Sequence, residues 1–196
     1  VFEVRIHGRG GQGAVTAAEL LSVAAFLDGR HAQAFPSFGS ERTGAPVVAF
    51  CRLDGKPIRS REPVVRPDGL VVQDATLLHQ VPVFDGFAHD GCLLVNSPHD
   101  FAELGLADVV ARLPPGRALT VPATALAREH LGRPVPNVVL LGAFAALTGQ
   151  VRIESVQAAI RERFSGRVAD GNVAAANAAC DHVREQLKEQ SRVAAD

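Results

Sequence analysis

Phe2-Glu3-Val4-Arg5-Ile6-His7-Gly8-Arg9-Gly10-Gly11-Gln12-Gly13-Ala14-Val15-Thr16 joins a short apolar strand, Phe2–Ile6, to an apolar helix running to Leu27. The turn between them holds four glycines in six residues. Open α/β sheets use this order to hold a phosphate. Glycine removes the β-carbons that keep an anion from the peptide N–H groups, and the following helix aims its unpaired N–H groups and positive dipole end at the anion. Gly8-x-Gly10-x-x-Gly13 matches the dinucleotide fingerprint. The fingerprint's second half is missing. A nicotinamide site wants an acid at the end of the second strand, about 20 residues on, whereas Asp28 precedes Gly29 at an expected helix end and Ala32–Phe35 runs into Pro36-Ser37. A phosphate ligand and a purely structural tight turn therefore both stand open, and an ordinary NAD site does not.

Working outward, Ala45–Leu53 reads as a β-branched strand that turns at Asp54-Gly55 into a partner at Pro57–Ser60. Gly69–Asp74 and Cys92–Asn96 are apolar runs ending in polar residues, as buried parallel strands do. Ala118–Val121 is a further strand leading into a helix at Ala123–His130, and Asn137 is placed to N-cap a buried helix reaching Leu147. Val156, Ala159, Ile160 and Phe164 form one helical face; Val173, Ala176, Cys180, Val183 and Leu187 form another. The expected fold is α/β: a single three-layer α/β/α domain over residues 1–190, its sheet mainly parallel with an inserted antiparallel hairpin near 45–60, and a frayed polar tail at 191–196.

Composition narrows the function classes. A formal net charge of −1 gives no footprint for nucleic acid. No apolar run is long enough to span a membrane, and no signal peptide opens the chain, so a cytoplasmic location is expected. The chain opens on Val1 and contains no Met, and the initiator is expected to have been removed or to lie outside this sequence. Cys51, Cys92 and Cys180 are widely separated, as small buried hydrophobes in a reducing compartment would be. An iron–sulfur cluster needs four thiolates, so this chain alone cannot hold one. The seven histidines show no zinc spacing, and no metal site or catalytic triad is expected. His7 reads as packed beneath the turn. Asp74 is open between a ligand at the strand end and a helix cap, and Asn96-Ser97-Pro98 between cleft lining and strand termination.

A second loop, Ala34-Phe35-Pro36-Ser37-Phe38-Gly39-Ser40-Glu41-Arg42-Thr43-Gly44-Ala45-Pro46-Val47, carries two glycines, two prolines and a Glu-Arg pair. In a doubly wound sheet it lies beside the first loop, which puts Ser37, Ser40, Arg42 and Thr43 in position to face whatever the glycine turn holds. A plain surface loop with a Glu41–Arg42 pair is the alternative.

GRGGQG with the following Thr16-Ala17-Ala18-Glu19-Leu20-Leu21, together with PSFGSERTGAPV, resembles the gamma subunit of 2-oxoacid:acceptor oxidoreductases, most closely the pyruvate:ferredoxin oxidoreductase type. The resemblance continues through Gln73-Asp74, Asn96-Ser97-Pro98, NVVLLG at Asn137–Gly142 and the closing helices. It implies a subunit that is inactive alone, in a complex that decarboxylates a 2-oxoacid, pyruvate by default, to acyl-CoA and CO2. Thiamine diphosphate, Mg and 4Fe-4S clusters would sit on alpha, beta and delta-type partner subunits. The chain itself lacks the Gly-Asp-Gly segment that holds the diphosphate and magnesium, since Asp170-Gly171-Asn172 has neither the preceding glycine nor the spacing. The acceptor would be ferredoxin or, through a flavin-bearing chain, NAD, as in an aryl 2-oxoacid (phenylglyoxylate) complex. The gamma module is associated with coenzyme A, which makes Gly8, Arg9, Gly10, Gly11, Gln12, Gly13, Ser37, Ser40, Arg42 and Thr43 the candidate binding residues. A structural subunit without ligand is the competing reading.

Overall fold

Val4 and Ile6 point to one face of the first strand, β1 (Phe2–Arg9), and Arg5 and His7 to the other. The computed structural model, which describes residues 1–37 and 42–193, sets this strand in the middle of a six-stranded sheet of order β2-β3-β1-β4-β5-β6. The other strands are β2 (His31–Pro36), β3 (Pro46–Asp54), β4 (Gly69–Val72), β5 (Cys92–Asn96) and β6 (Ala118–Val121). β1, β4, β5 and β6 are mutually parallel, with Val4 opposite Gly69 and His7 opposite Val72. β3 runs antiparallel to both β1 and β2.

The mixed, mainly parallel α/β sheet is as the sequence predicts, but the hairpin is not where it was expected. The second arm is β2; Pro57–Ser60 forms no strand. Both edges of β3 are already taken, by β1 and β2, so a strand after Asp54 has no edge to join. β1 also runs three residues past Ile6, because Gly8 and Arg9 stay in register with Val47 and Pro46.

Five of the helices pack on one face: α1 (Ala14–Leu27), α3 (Ala123–Leu131), α4 (Asn137–Thr148), α5 (Ile153–Arg163) and α6 (Gly166–Val193). α1 is apolar nearly all round because it is enclosed by β1–β3, α4 and α5. Asp28 at its C-terminal end accepts from the Arg152 N–H at 2.8 Å and from the Ser155 hydroxyl, pinning it to the start of α5. The opposite face is covered more thinly. Over Leu70, Val72, Leu93 and Val95 lie a 3-10 turn at Ala75–His79, irregular segments carrying Phe84, Phe87 and Phe101, and the four-residue helix α2 (Ala107–Val110). α6 continues through Val193, into the segment expected to fray. Among the described residues no helix is long and apolar enough to cross a membrane.

α4 is buried along almost its whole length, and at Gly142 it meets α6 backbone to backbone: a β-carbon there would run into the Ala176 carbonyl. Small residues at Ala175, Ala176 and Ala179 make that approach possible. Gly142→Ala therefore forces the two helices apart and should destabilise the protein by about 1–3 kcal/mol despite alanine's better helix propensity. Urea unfolding of the purified protein, compared with Ala178→Gly at a partly buried position of α6, measures this.

Candidate functional site

The chain leaves β1 toward β2 on one side of the sheet and returns through β3 to β4 on the other, so the crevice between the C-terminal ends of β1 and β4 is the switch point of this fold. The glycine turn stands there. Gly11 and Gly13 take φ of 92° and 75°, a left-handed backbone that favours glycine. Gly10 is a glycine for a different reason: its β-carbon would strike the Arg42 carbonyl.

That close approach stitches the two loops together, as the sequence reading expected. The Gly10 N–H donates to the Ala45 carbonyl (2.9 Å), the Gly44 N–H donates to the Gly10 carbonyl (3.0 Å), and Gly10 and Thr43 form a parallel bridge. Arg9 then ties in a third connection. Its Nε donates to Asp74 Oδ2 (3.0 Å), Nη1 to the Gly44 carbonyl (3.0 Å), and Nη2 to Thr76 Oγ1 (2.7 Å) and Gln80 Oε1 (2.6 Å). Gln12 accepts from the Arg9 N–H (2.8 Å) and donates to Asp74 (2.9 Å). Asp74 also caps the 3-10 turn through Thr76. Burial opposes its ionisation, but the Thr76 and Gln12 hydrogen bonds and the Arg9 charge outweigh that and hold its carboxyl below the ordinary range. Asn96 is likewise occupied, bonding the Gln73 carbonyl and both the N–H and hydroxyl of Thr124.

What stays open is the N-terminal end of α1. Among the described residues no side chain caps it, its first turn carries no acid, and its first backbone bond runs from the Ala17 N–H to the Gly13 carbonyl. The amides ahead of Ala17 point outward at the positive end of the dipole. Two cavities meet here. A small one of about 230 Å³ lies against Gly10, Gly11, Ala14 and Val47, and a cleft of about 520 Å³ opens on the other side of Gly11, Gly13 and Thr16. The cleft also carries Arg133, Arg163 and Arg167, and among the described residues no acidic side chain lines it. Asn137 forms part of the floor. It is the first residue of α4 rather than its cap, because its side chain donates to the Gly13 carbonyl at 3.3 Å and so braces the turn.

The pyruvate ferredoxin/flavodoxin oxidoreductase family model matches residues 3–182. The chain belongs to that family. It is 47% identical over 184 residues to the pyruvate synthase subunit PorC of Methanothermobacter marburgensis, covering 94% of this chain and 98% of that protein. It is 49% identical over 179 residues to the pyruvate/ketoisovalerate oxidoreductases common subunit gamma of Pyrococcus abyssi, covering 91% of this chain and 95% of that protein. The pyruvate oxidoreductase subunit PORC of Thermotoga maritima, a solved structure, superposes with a TM-score of 0.77 at 37% identity over 92% of this chain and 95% of that one. The 2-oxoglutarate:ferredoxin oxidoreductase of Magnetococcus marinus, solved with 2-oxoglutarate, coenzyme A and succinyl-CoA bound, shares the fold at 16% identity and a TM-score of 0.75; this chain covers 31% of it. Within the family this chain is a gamma-type subunit of a pyruvate or 2-oxoacid oxidoreductase complex.

The structure brings Gly8, Arg9, Gly10, Gly11, Gln12 and Gly13 together with the backbone of Arg42 and Thr43, and leaves the Arg42 side chain exposed. It does not bring Ser37 to them. Ser37 lines a separate cavity of about 310 Å³ with Arg5 and His7 on the opposite face of the sheet. Ser40 lies outside the described residues. The Arg9 and Gln12 side chains, read from the sequence as ligands, bond instead within the protein. His7 is buried as expected, and burial together with the Arg5 charge lowers its pKa to about 4, so it stays neutral. Cys51, Cys92 and Cys180 are buried and free, and burial pushes the Cys51 and Cys180 thiols up. Among the described residues no three His, Cys, Asp or Glu side chains converge on a metal position. The sequence reading missed Arg133, Arg163 and Arg167. The one local signal was Arg167, a cation in the first turn of a helix, where the dipole favours anions.

Asp74→Asn removes the charge that gathers Arg9 and Gln12 and should cost about 1–3 kcal/mol. The carboxyl's lowered pKa means the wild-type advantage is complete above about pH 4 and fades as pH falls through the folded value. Urea melts of both proteins at pH 7 and pH 3 should show a larger gap at the first than at the second.

Proposed function

We propose that this subunit supplies part of the coenzyme A site of a 2-oxoacid oxidoreductase, with the N-terminal end of α1 and the glycine turn receiving a phosphate of the cosubstrate. The observation that carries this reading is the α1 N-terminus, uncapped among the described residues, opening onto a cleft lined by three arginines and, among the described residues, no acid. The turn presents donors that cost nothing to reorganise, because the Arg9–Gln12–Asp74 lock already holds them. The chain would bind and orient the cosubstrate while other chains perform the oxidation.

Those other chains are the alpha, beta and delta-type subunits, carrying thiamine diphosphate, Mg and 4Fe-4S clusters. The residues of this chain fit neither group: its three thiols are buried and apart, and no acid cluster faces the turn. Ferredoxin as acceptor and pyruvate as substrate are the readings that the relatives favour, with a branched 2-oxoacid next. NAD through a flavin chain and an aryl 2-oxoacid are the alternative. A reducing cytoplasm suits three free thiols.

A structural brace without ligand is the second reading, and the inward-turned Arg9 and Gln12 side chains favour it. Gly11→Val separates the two. A β-carbon at Gly11 meets nothing within 4 Å, so the side chain projects into open cavity, and its positive φ distorts the turn itself. The expected result is an assembled complex that has lost most coenzyme A-dependent turnover, while single-turnover decarboxylation with an artificial electron acceptor continues. Failure to assemble, or assembly with unaltered coenzyme A affinity, favours the brace. Arg42→Ala should raise the KM for coenzyme A about tenfold and leave that for the 2-oxoacid unchanged; unchanged KM values for both would confine Arg42 to the surface.

A further inference from the structure

The 520 Å³ cleft is more than a basic patch. Its apolar lining is Leu131, Val135, Phe164 and Val168, with Asn137, Asn172 and His130 among them, and Val168 is 55% exposed. Its rim is cationic and assembled from three separate places: Arg133 from the connection between α3 and α4, Arg163 from the last residue of α5, and Arg167 from the first turn of α6. Among the described residues none of the three makes an ion pair or a side-chain hydrogen bond, whereas Arg9, Arg30, Arg52, Arg152 and Arg161 all do. Arg167 stands against its own helix dipole. Gly11, Gly13 and Thr16 line the same cavity, so the open end of α1 and the arginine rim face one continuous space.

From this arrangement we infer that the cleft is a nucleotide pocket which reads a phosphomonoester, with the apolar floor under a purine and Arg133, Arg163 and Arg167 around the terminal phosphate. A bare diphosphate would not need an apolar wall, and an apolar ligand would not need three cations. A flat heteroaromatic body joined to a dianion needs both. Fixed amides at a helix end suit the singly charged oxygens of a diphosphate. A phosphomonoester, which carries up to two charges on one centre, calls for guanidinium groups. The inference rests on the coenzyme A reading and deepens it. The 3′-phosphoadenosine end of the cosubstrate occupies the arginine cleft, its diphosphate lies at the glycine turn, and the pantetheine arm leads away toward the partner chains.

The test uses the assembled complex, with equilibrium affinities for coenzyme A, dephospho-coenzyme A and adenosine 3′,5′-bisphosphate. The wild type should bind coenzyme A about ten- to hundredfold more tightly than dephospho-coenzyme A, the range of charge-assisted contacts. Added salt should erode that preference. R163Q/R167Q should bring coenzyme A to the affinity of dephospho-coenzyme A, abolish competition by adenosine 3′,5′-bisphosphate, and leave dephospho-coenzyme A affinity and the KM for the 2-oxoacid unaltered. Equal affinity of the wild type for the two cosubstrates overturns the proposal, as does discrimination that survives in R163Q/R167Q. A variant that no longer assembles also overturns it, assigning the cleft to docking of a partner chain. The two readings fail separately. If Gly11→Val leaves coenzyme A affinity untouched while R163Q/R167Q removes the discrimination, the turn loses its phosphate and the cleft keeps its nucleotide. The reverse pattern retains the turn and discards the cleft.

Discussion

The ion pair between Arg9 and Asp74, at 3.0 Å, is the contact on which the organisation of this end of the sheet depends. Both groups lie at the ends of adjacent parallel strands, where successive backbones diverge and leave a crevice. A guanidinium has five N–H donors in a fixed fork, and here that fork joins the loop before β3 to the turn after β4 from the end of β1. Gln12 doubles the link from within the turn. An exposed pair would contribute little. This one is part of a network in which each member orients the next, and it fixes a glycine-rich loop that has no side-chain packing of its own.

The Arg9, Gln12 and Asp74 side chains bond to one another at the switch-point crevice, and the larger open surface lies on the helix side. The Gly10 stitch to Ala45 and Gly44 closes one flank of the turn, and Asn137 closes the floor. The first amides of α1 face space, and the two cavities meet at Gly11, Gly13 and Thr16. The division of labour within the six-residue turn follows: glycines for approach and dihedral freedom, and polar residues for internal anchoring, with the first N–H groups of the helix beyond it outside the helical bonding.

Strand, turn and helix at 2–27 and α4 were legible because apolar runs set between turn signals leave few alternatives, and α6 because its apolar residues recur at 3-4 spacing. The hairpin was misplaced because Asp54-Gly55 is a strong turn signal, and a turn signal says nothing about which edge of the preceding strand is free. Asn137 was read as a cap because Asn before an apolar run usually is one; its actual partner is 124 residues away, beyond any local pattern. Arg9 and Gln12 illustrate a further limit. Polar residues beside a phosphate-binding turn look alike in sequence whether they contact a ligand or lock the loop. The arginine rim was invisible because its members come from three elements and meet only after α4, α5 and α6 have packed.

The backbone-close crossing of α4 and α6 at Gly142 has a bearing on recognition. α4 begins at Asn137 beneath the glycine turn, and α6 begins beside Arg167 on the opposite wall of the cleft. Helices that touch through main-chain atoms lack long side chains whose rotamers absorb sliding, so their relative position is set to within a fraction of a van der Waals radius. The two walls are therefore jaws on one rigid frame, and their spacing is decided at folding rather than when a ligand enters. A molecule that bridges them meets a preorganised gap, and it forfeits little of its binding energy to ordering the protein around it.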